Sequence, residues 1–169
     1  MPKTLLLLRH AKAEDQSQMF KDFDRELTSR GIMDSARMGH YLKTQAPGIE
    51  SIKASAAART YQTAKVIAEQ LKFEVDDIET VDKLYSGGPQ AYLATINATP
   101  DSVQTLLLCG HNPDISYFAE YLTSTDIGSM GKCSLAVITF ESQSWAEISG
   151  KTGSLAKLVT PDDLKQSPA

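Results

Sequence analysis

Arg9-His10, Arg59-Thr60 and Gly110-His111-Asn112 place two arginines and two histidines at points where short apolar or mixed runs end. Those residue types together suit a small dianion of the phosphoryl kind. A guanidinium presents forked, planar donors that match phosphate oxygens, and it stays charged at any physiological pH. Pro113 follows at the start of a helical pattern, and a helix N-terminus adds unpaired backbone N–H groups and a positive dipole end. Taken singly, each stretch reads as a polar element terminus. Their recurrence in order along one chain is what points to an anion site.

To bring these groups together, the chain needs strands that end at a common edge. The four leucines Leu5 to Leu8 run directly into Arg9 and read as a strand covered on both faces. Ligands collect where such strands end in open α/β sheets. Ile49 to Ala54, a stretch near Phe73 to Val81, and Thr105 to Cys109 predict further strands. Helical spacing connects them. Thr28 caps a helix with Ile32, Ala36, Gly39 and Leu42 on one face, ending before Pro47-Gly48. Thr60, Ala64, Ile67, Ala68 and Leu71 mark a second helix, and Gly87-Gly88-Pro89 introduces a third carrying Tyr92, Leu93 and Ile96. Asn112 and Pro113 take the N-cap and first-turn positions of a fourth, with Ile115, Phe118, Ala119 and Leu122 on its buried side. Residues 13–26 read as a surface loop, and Leu135 to Phe140 with Trp145 to Ile148 as a hairpin in which Trp145 packs. This alternation predicts an α/β fold, a three-layer α/β/α sandwich with a mainly parallel sheet.

A chain of 169 residues, 41% hydrophobic and 22% charged, is expected to form one domain over residues 1–160, followed by a polar tail over 161–169. The formal net charge of -4 provides no basic surplus for a nucleic-acid backbone, so nucleic acid is excluded as a general partner. The leucine run is too short to span a bilayer and lacks the flanks of a signal peptide, which predicts a cytoplasmic protein without membrane association. Cys109 and Cys133 form no CxxC pair and read as reduced structural thiols. His40 lies outside the three stretches and reads as a surface or packing histidine.

Four motifs carry a resemblance. Leu8-Arg9-His10-Ala11 is similar to the Arg-His-Gly signature of the histidine phosphatase superfamily, also called phosphoglycerate mutase-like. Leu27-Thr28-Ser29-Arg30-Gly31 resembles its Leu-Thr-x-x-Gly, and Ser55 through Arg59-Thr60-Tyr61-Gln62-Thr63-Ala64 its Ser-x-x-x-Arg-Thr-x-Gln-Thr-Ala. Gly110-His111-Asn112-Pro113 completes the set, so that the resemblance runs through nearly the whole chain. The short length, Ala11 in place of glycine and the Asp24-Arg25 pair before Leu27-Thr28 look most like the SixA-type phosphohistidine phosphatases.

The resemblance implies that His10 is a nucleophile that becomes a transient phosphohistidine, with its other ring nitrogen donating to a carbonyl or similar acceptor. It implies that Arg9, Arg59 and His111 hold the phosphoryl oxygens, and that Arg25 is a weaker further contact. Asn112 is a candidate substrate contact, though its position also suits an N-cap. Thr60, Gln62 and Thr63 read as capping and packing residues. Phosphoryl transfer needs mainly positioning and electrostatic stabilisation, so no metal or other cofactor is expected.

One departure bears on the substrate. Many members carry a glutamate after the third strand that protonates an alcohol leaving group, but here Lys83-Leu84-Tyr85-Ser86-Gly87 stands there. Asp82, Glu14, Asp15 and Asp24 are the nearest carboxylates, and they read as solvated loop charges. An imidazole, with a conjugate-acid pKa of about 6.5, leaves far more readily than an alkoxide. The expected substrate is therefore phosphohistidine on a protein, such as a histidine-containing phosphotransfer domain, reached through an open pocket. The alternatives are a broad phosphatase of small phosphorylated metabolites and a non-catalytic module that binds phosphate.

Overall fold

The computed structural model describes residues 2–45, 48–141 and 144–165. Leu5 to Leu8 form the middle of β1 (Lys3–Arg9), and each is at most 2% exposed. Leu5 and Leu7 point to one face of the sheet, where they meet Tyr92, Ile96 and Phe118. Leu6 and Leu8 point to the other, where they meet Met38, Ala64 and Ile67. A strand covered on both faces has no place for polar alternation, which is why the run is unbroken. Burying a leucine of this kind contributes about 1.5–3 kcal/mol.

The remaining strands are β2 (Ser51–Ser55), β3 (Glu79–Val81), β4 (Thr105–Gly110), β5 (Leu135–Phe140) and β6 (Ser154–Val159), and the sheet order is β3-β2-β4-β1-β5-β6. The pairs β1/β4, β2/β4 and β2/β3 are parallel, while β5 runs antiparallel to both β1 and β6. Helices α1 (Ser29–Gln45) and α2 (Ala58–Leu71) cover one face. After the short α3 (Lys83–Ser86), α4 (Pro89–Asn97) and α5 (Asp114–Thr123) cover the other. The result is the three-layer α/β/α sandwich with a mainly parallel sheet. The Thr28 cap forms as expected: its Oγ1 accepts the Gly31 N–H at 3.0 Å.

Several local expectations are corrected. Gly39 and Leu42 lie on the buried face of α1 as expected, but Ile32 is 49% exposed, and Gly31, Ser35 and Met38 complete the inward face. The rotation follows from Gly31, where a Cβ would fall 2.1 Å from the Lys12 carbonyl oxygen, so α1 presses its glycine against the chain leaving β1. Within 73–81, Val75–Asp77 is a 3-10 turn, and only Glu79–Val81 pairs.

Trp145–Glu147 is a 3-10 turn and not a hairpin strand; β6, further along, pairs with β5. The buried Trp145 draws the segment elsewhere, because its Nε1 donates to Val103 O at 2.7 Å and its carbonyl accepts from Asn97 Nδ2 at 2.7 Å. Pro161–Lys165, expected as loose tail, forms the short α6 against α1, with Lys165 Nζ 4.0 Å from Asp34 Oδ1. Residues 166–169 and Pro47 lie outside the described residues. Among the described residues no helix is long and apolar enough to cross a membrane.

Candidate active site

Strand register brings the two histidines together. Arg9 pairs with Gly110 across β1 and β4, so His10 and His111 follow side by side, with ring centroids 5.4 Å apart. His10 is fixed through its backbone on both sides, donating to Gly110 O at 3.1 Å and accepting from Cys133 N at 3.0 Å. Its Nδ1 lies 2.8 Å from Ala11 O. A carbonyl oxygen only accepts, so Nδ1 carries the proton and the lone pair is on Nε2. Burial first, and then the charges of Arg59, Arg9 and Lys132, bring the ring pKa down to about 4 against that hydrogen bond. His10 is therefore a neutral imidazole at pH 7, with an unprotonated Nε2.

His111 is held by a different set of partners. Its backbone N–H donates to Tyr92 Oη at 2.8 Å, and its Nε2 is 2.8 Å from Ser55 Oγ at the end of β2. Tyr92 reaches this place because residue 110 is glycine: a Cβ there would fall 2.3 Å from the Tyr92 hydroxyl oxygen. Burial, followed by the proximity of His10 and Arg59, lowers the His111 pKa to about 3. The motif residues of α2 support the same floor. Thr63 Oγ1 accepts the Ala11 N–H at 3.0 Å, Thr60 Oγ1 donates to Ser55 O at 2.8 Å, and Gln62 Oε1 accepts the Leu27 N–H at 2.8 Å.

Arg59 lies in the first turn of α2, where a cation opposes the helix dipole unless an anion is near. That anion is Asp22, a residue sequence reasoning missed. Arg59 donates to the Asp22 carbonyl at 2.7 Å and to its Oδ2 at 3.1 Å, Arg25 donates to Oδ1 at 2.7 Å, and Tyr85 Oη donates to Oδ2 at 2.6 Å. The Tyr85 hydrogen bond, with those from Arg25 and Arg59, holds the Asp22 carboxyl well below the usual carboxylate range. Tyr85 in turn stands edge-on to His111 at 5.5 Å. The only sequence signal for Asp22 was its spacing three residues before Arg25, and nothing in the sequence tied Tyr85 to it.

Arg9 donates one guanidinium nitrogen to Met130 O at 2.8 Å. The Nε atoms of Arg9 and Arg59 are buried and have no hydrogen-bond partner. Buried donors in that condition are costly unless a ligand meets them, which fits an anion site.

Arg9, His10, Arg25, Arg59, His111 and Asn112, all expected at the site, do line one cavity of about 610 Å³. Asp22, Tyr85, Asp114 and Lys132 line it as well. Asn112 is not the N-cap: α5 begins at Asp114 with Pro113 before it. The Asn112 amide is engaged by neighbours, its Nδ2 donating to Ser129 Oγ at 2.6 Å and its Oδ1 accepting from Ser116 Oγ. Asp82, Glu14, Asp15 and Asp24 do not line this cavity, and His40 is exposed on α1. Both cysteines are free and buried, with burial pushing Cys133 up to about 12 and Cys109 well above its ordinary value. Among the described residues, no group of three His, Cys, Asp or Glu side chains is placed to hold a metal ion.

The family model of the histidine phosphatase superfamily (branch 1) matches residues 5–87, the stretch that carries Arg9-His10, the Leu27-to-Gly31 motif and Arg59. The chain belongs to this superfamily. It is 31% identical over 117 residues to an uncharacterized protein of Mycobacterium tuberculosis, covering 69% of this chain and 70% of that one. A structure of the putative phosphohistidine phosphatase SixA from Nakamurella multipartitia is 26% identical, with a TM-score of 0.80 over 95% of this chain and 97% of that chain. The putative SixA from Agrobacterium tumefaciens is also 26% identical, with a TM-score of 0.81 over 95% of this chain and 99% of that chain. The SixA-type histidine phosphatase branch is thus where this chain falls, and it is a phosphatase.

Proposed function

We propose that this histidine phosphatase removes the phosphoryl group from phosphohistidine on a protein, through a phosphohistidine formed on His10. The observation that carries the reading is the His10 ring: Nδ1 is held by Ala11 O, which leaves the Nε2 lone pair for in-line attack on phosphorus. Arg9 and Arg59, with unpartnered Nε donors, hold the phosphoryl oxygens together with His111, and Arg25 adds charge from the mouth. Asn112 acts through the turn it ties to Ser116 and Ser129, shaping the edge of the cavity. Phosphoryl transfer depends chiefly on such positioning and charge, so the reading is a metal-independent one.

A protein-borne phosphohistidine is supported by the segment after β3. Lys83–Ser86 forms α3 and brings Tyr85, not a carboxylate, into the cavity. The SixA proteins that this chain resembles are described as putative phosphohistidine phosphatases, which supports the same substrate class. Phosphate esters are the second reading, favoured by one observation taken up below, the presence of Asp114 in the cavity.

Purified protein in the presence of a chelator should release phosphate from a phosphohistidine-bearing protein at a kcat/KM well above that for sugar phosphates. Equal or better turnover of the esters would overturn the assignment in favour of the second reading.

A further inference from the structure

Among the described residues, two carboxylates line the catalytic cavity, and their surroundings are opposite. Asp22 accepts from Arg25, Arg59 and Tyr85 at once. The Asp114 side chain makes no hydrogen bond or ion pair with any other described residue. It lies in the first turn of α5, three residues after His111, in the same cavity as His10, Arg59 and Lys132. We infer that Asp114 is the proton donor to the leaving group, and that in the second half of the reaction its carboxylate takes a proton from the attacking water. This rests on the phosphatase reading above and supplies the group that the segment after β3 lacks.

Electrostatics agree with this division of roles. Burial raises the Asp114 carboxyl above its ordinary value, whereas Asp22 is held well below it. Two titratable groups pushed apart by their environments take different roles in acid–base catalysis. Asp22, ionised and triply bonded, orients Arg25, Arg59 and Tyr85. Asp114 is the carboxyl free to exchange a proton. The other charged or titratable groups facing this space are Arg9, His10, Arg25, Arg59, Tyr85, His111 and Lys132, with Tyr92 beneath His111.

The chemistry balances in two steps. In the first, the His10 Nε2 lone pair forms a bond to phosphorus and the bond from phosphorus to the leaving oxygen or nitrogen breaks. That atom keeps the electron pair and receives the Asp114 proton. In the second, water forms the new P–O bond, its proton goes to the Asp114 carboxylate, and the P–N bond breaks with its electron pair returning to Nε2. Nδ1 keeps its proton on Ala11 O throughout. A donor at this place extends turnover to leaving groups that cannot depart without a proton: alcohols, and a phosphoimidazole whose distal nitrogen is unprotonated.

A first-turn aspartate also stabilises a helix through its dipole, and that role is indifferent to the substrate. The test therefore uses leaving groups. Wild type and Asp114→Asn are compared on p-nitrophenyl phosphate, phenyl phosphate and an alkyl phosphate, with a thermal melt for each protein. The expected result is a loss of roughly 10²–10⁴-fold on the alkyl ester, and a much smaller loss on the activated p-nitrophenyl ester, because only the former needs the proton. The same uniform loss on all three, or no loss on any, would overturn the role of Asp114 while leaving the His10 phosphatase in place. A wild-type protein that turns over a phosphohistidine protein but none of these esters would overturn the role of Asp114, and one that turns over neither would overturn both.

Discussion

The floor of the cavity and its mouth hold their cations by different means. On the floor, β-sheet register and backbone hydrogen bonds place the residues: Arg9 is paired with Gly110, and His10 is gripped through its own N–H and C=O. At the mouth, the segment leading to Arg25 has few elements of its own beyond the Asp22–Asp24 turn and the Ala13–Leu27 bridge. There one carboxylate, Asp22, gathers Arg25, Arg59 and Tyr85, while Met19 and Phe20 nearby are 85% and 62% exposed. Chemistry on the floor is thus built into the fold. The mouth sets how the phosphate is received.

This contrast orders the expected effects of substitution. His10→Ala removes the nucleophile and should lower kcat by roughly 10⁴-fold or more, measured by phosphate release, with the melting temperature little changed. Arg59→Ala removes a donor that spans floor and mouth and should cost roughly 10²–10³-fold in kcat/KM. Arg59→Lys should recover little of it, because an ammonium cannot reproduce the forked geometry.

Asp22→Asn tests the mouth and, through Arg59, its link to the floor. Taking one negative charge from contact with Arg25 and Arg59 raises the cationic potential, so product phosphate should inhibit more tightly by roughly fivefold, about 1 kcal/mol. Looser arginines should lower kcat at the same time. If phosphate inhibition weakens instead, Asp22 is needed chiefly to hold the arginines in place and the division of labour drawn above fails. Arg25→Ala should have the smallest effect, a rise in KM of several-fold with kcat nearly unchanged, since its guanidinium is already engaged by Asp22 and the Glu14 carbonyl.

Acidity probes the floor. His10 must be neutral to attack, and burial lowers its pKa to about 4. The acid limb of kcat/KM should accordingly fall below about pH 4 and not near 6.5. Stability carries the same sign. His10 and His111 bind protons less readily folded than unfolded, so stability is fully present above pH 6.5 and is lost as the pH falls toward about 4 and then about 3. Denaturant midpoints at pH 7 and pH 5 should show this loss in the wild type, and less of it in His10→Gln.

How much of this was legible in the sequence follows the same divide. Leu5 to Leu8 announced a two-sided strand, and Arg9-His10, Arg59 and His111 marked its neighbours, because local runs and strand ends leave their pattern in the chain. The mouth left no such pattern. Asp22 sits in a polar stretch where Glu14, Asp15 and Asp24 looked equivalent, and only the fold shows that Arg59 and Tyr85 converge on it. Asp114, between Pro113 and the apolar positions of its helix, carried no signal of its own in the sequence. Trp145 misled for a related reason: an apolar residue in a strand-like setting was drawn into the core by a partner at Val103 that no local window contains.

The central claim is that His10 carries the phosphoryl group in transit. Labelled phosphohistidine protein should be mixed with stoichiometric enzyme and quenched with alkaline denaturant, under which a phosphoramidate survives. The account predicts label on His10 that is stable to alkali, released by acid and absent in His10→Ala. Turnover by the wild type with no such label, or with the label on another residue, would contradict it.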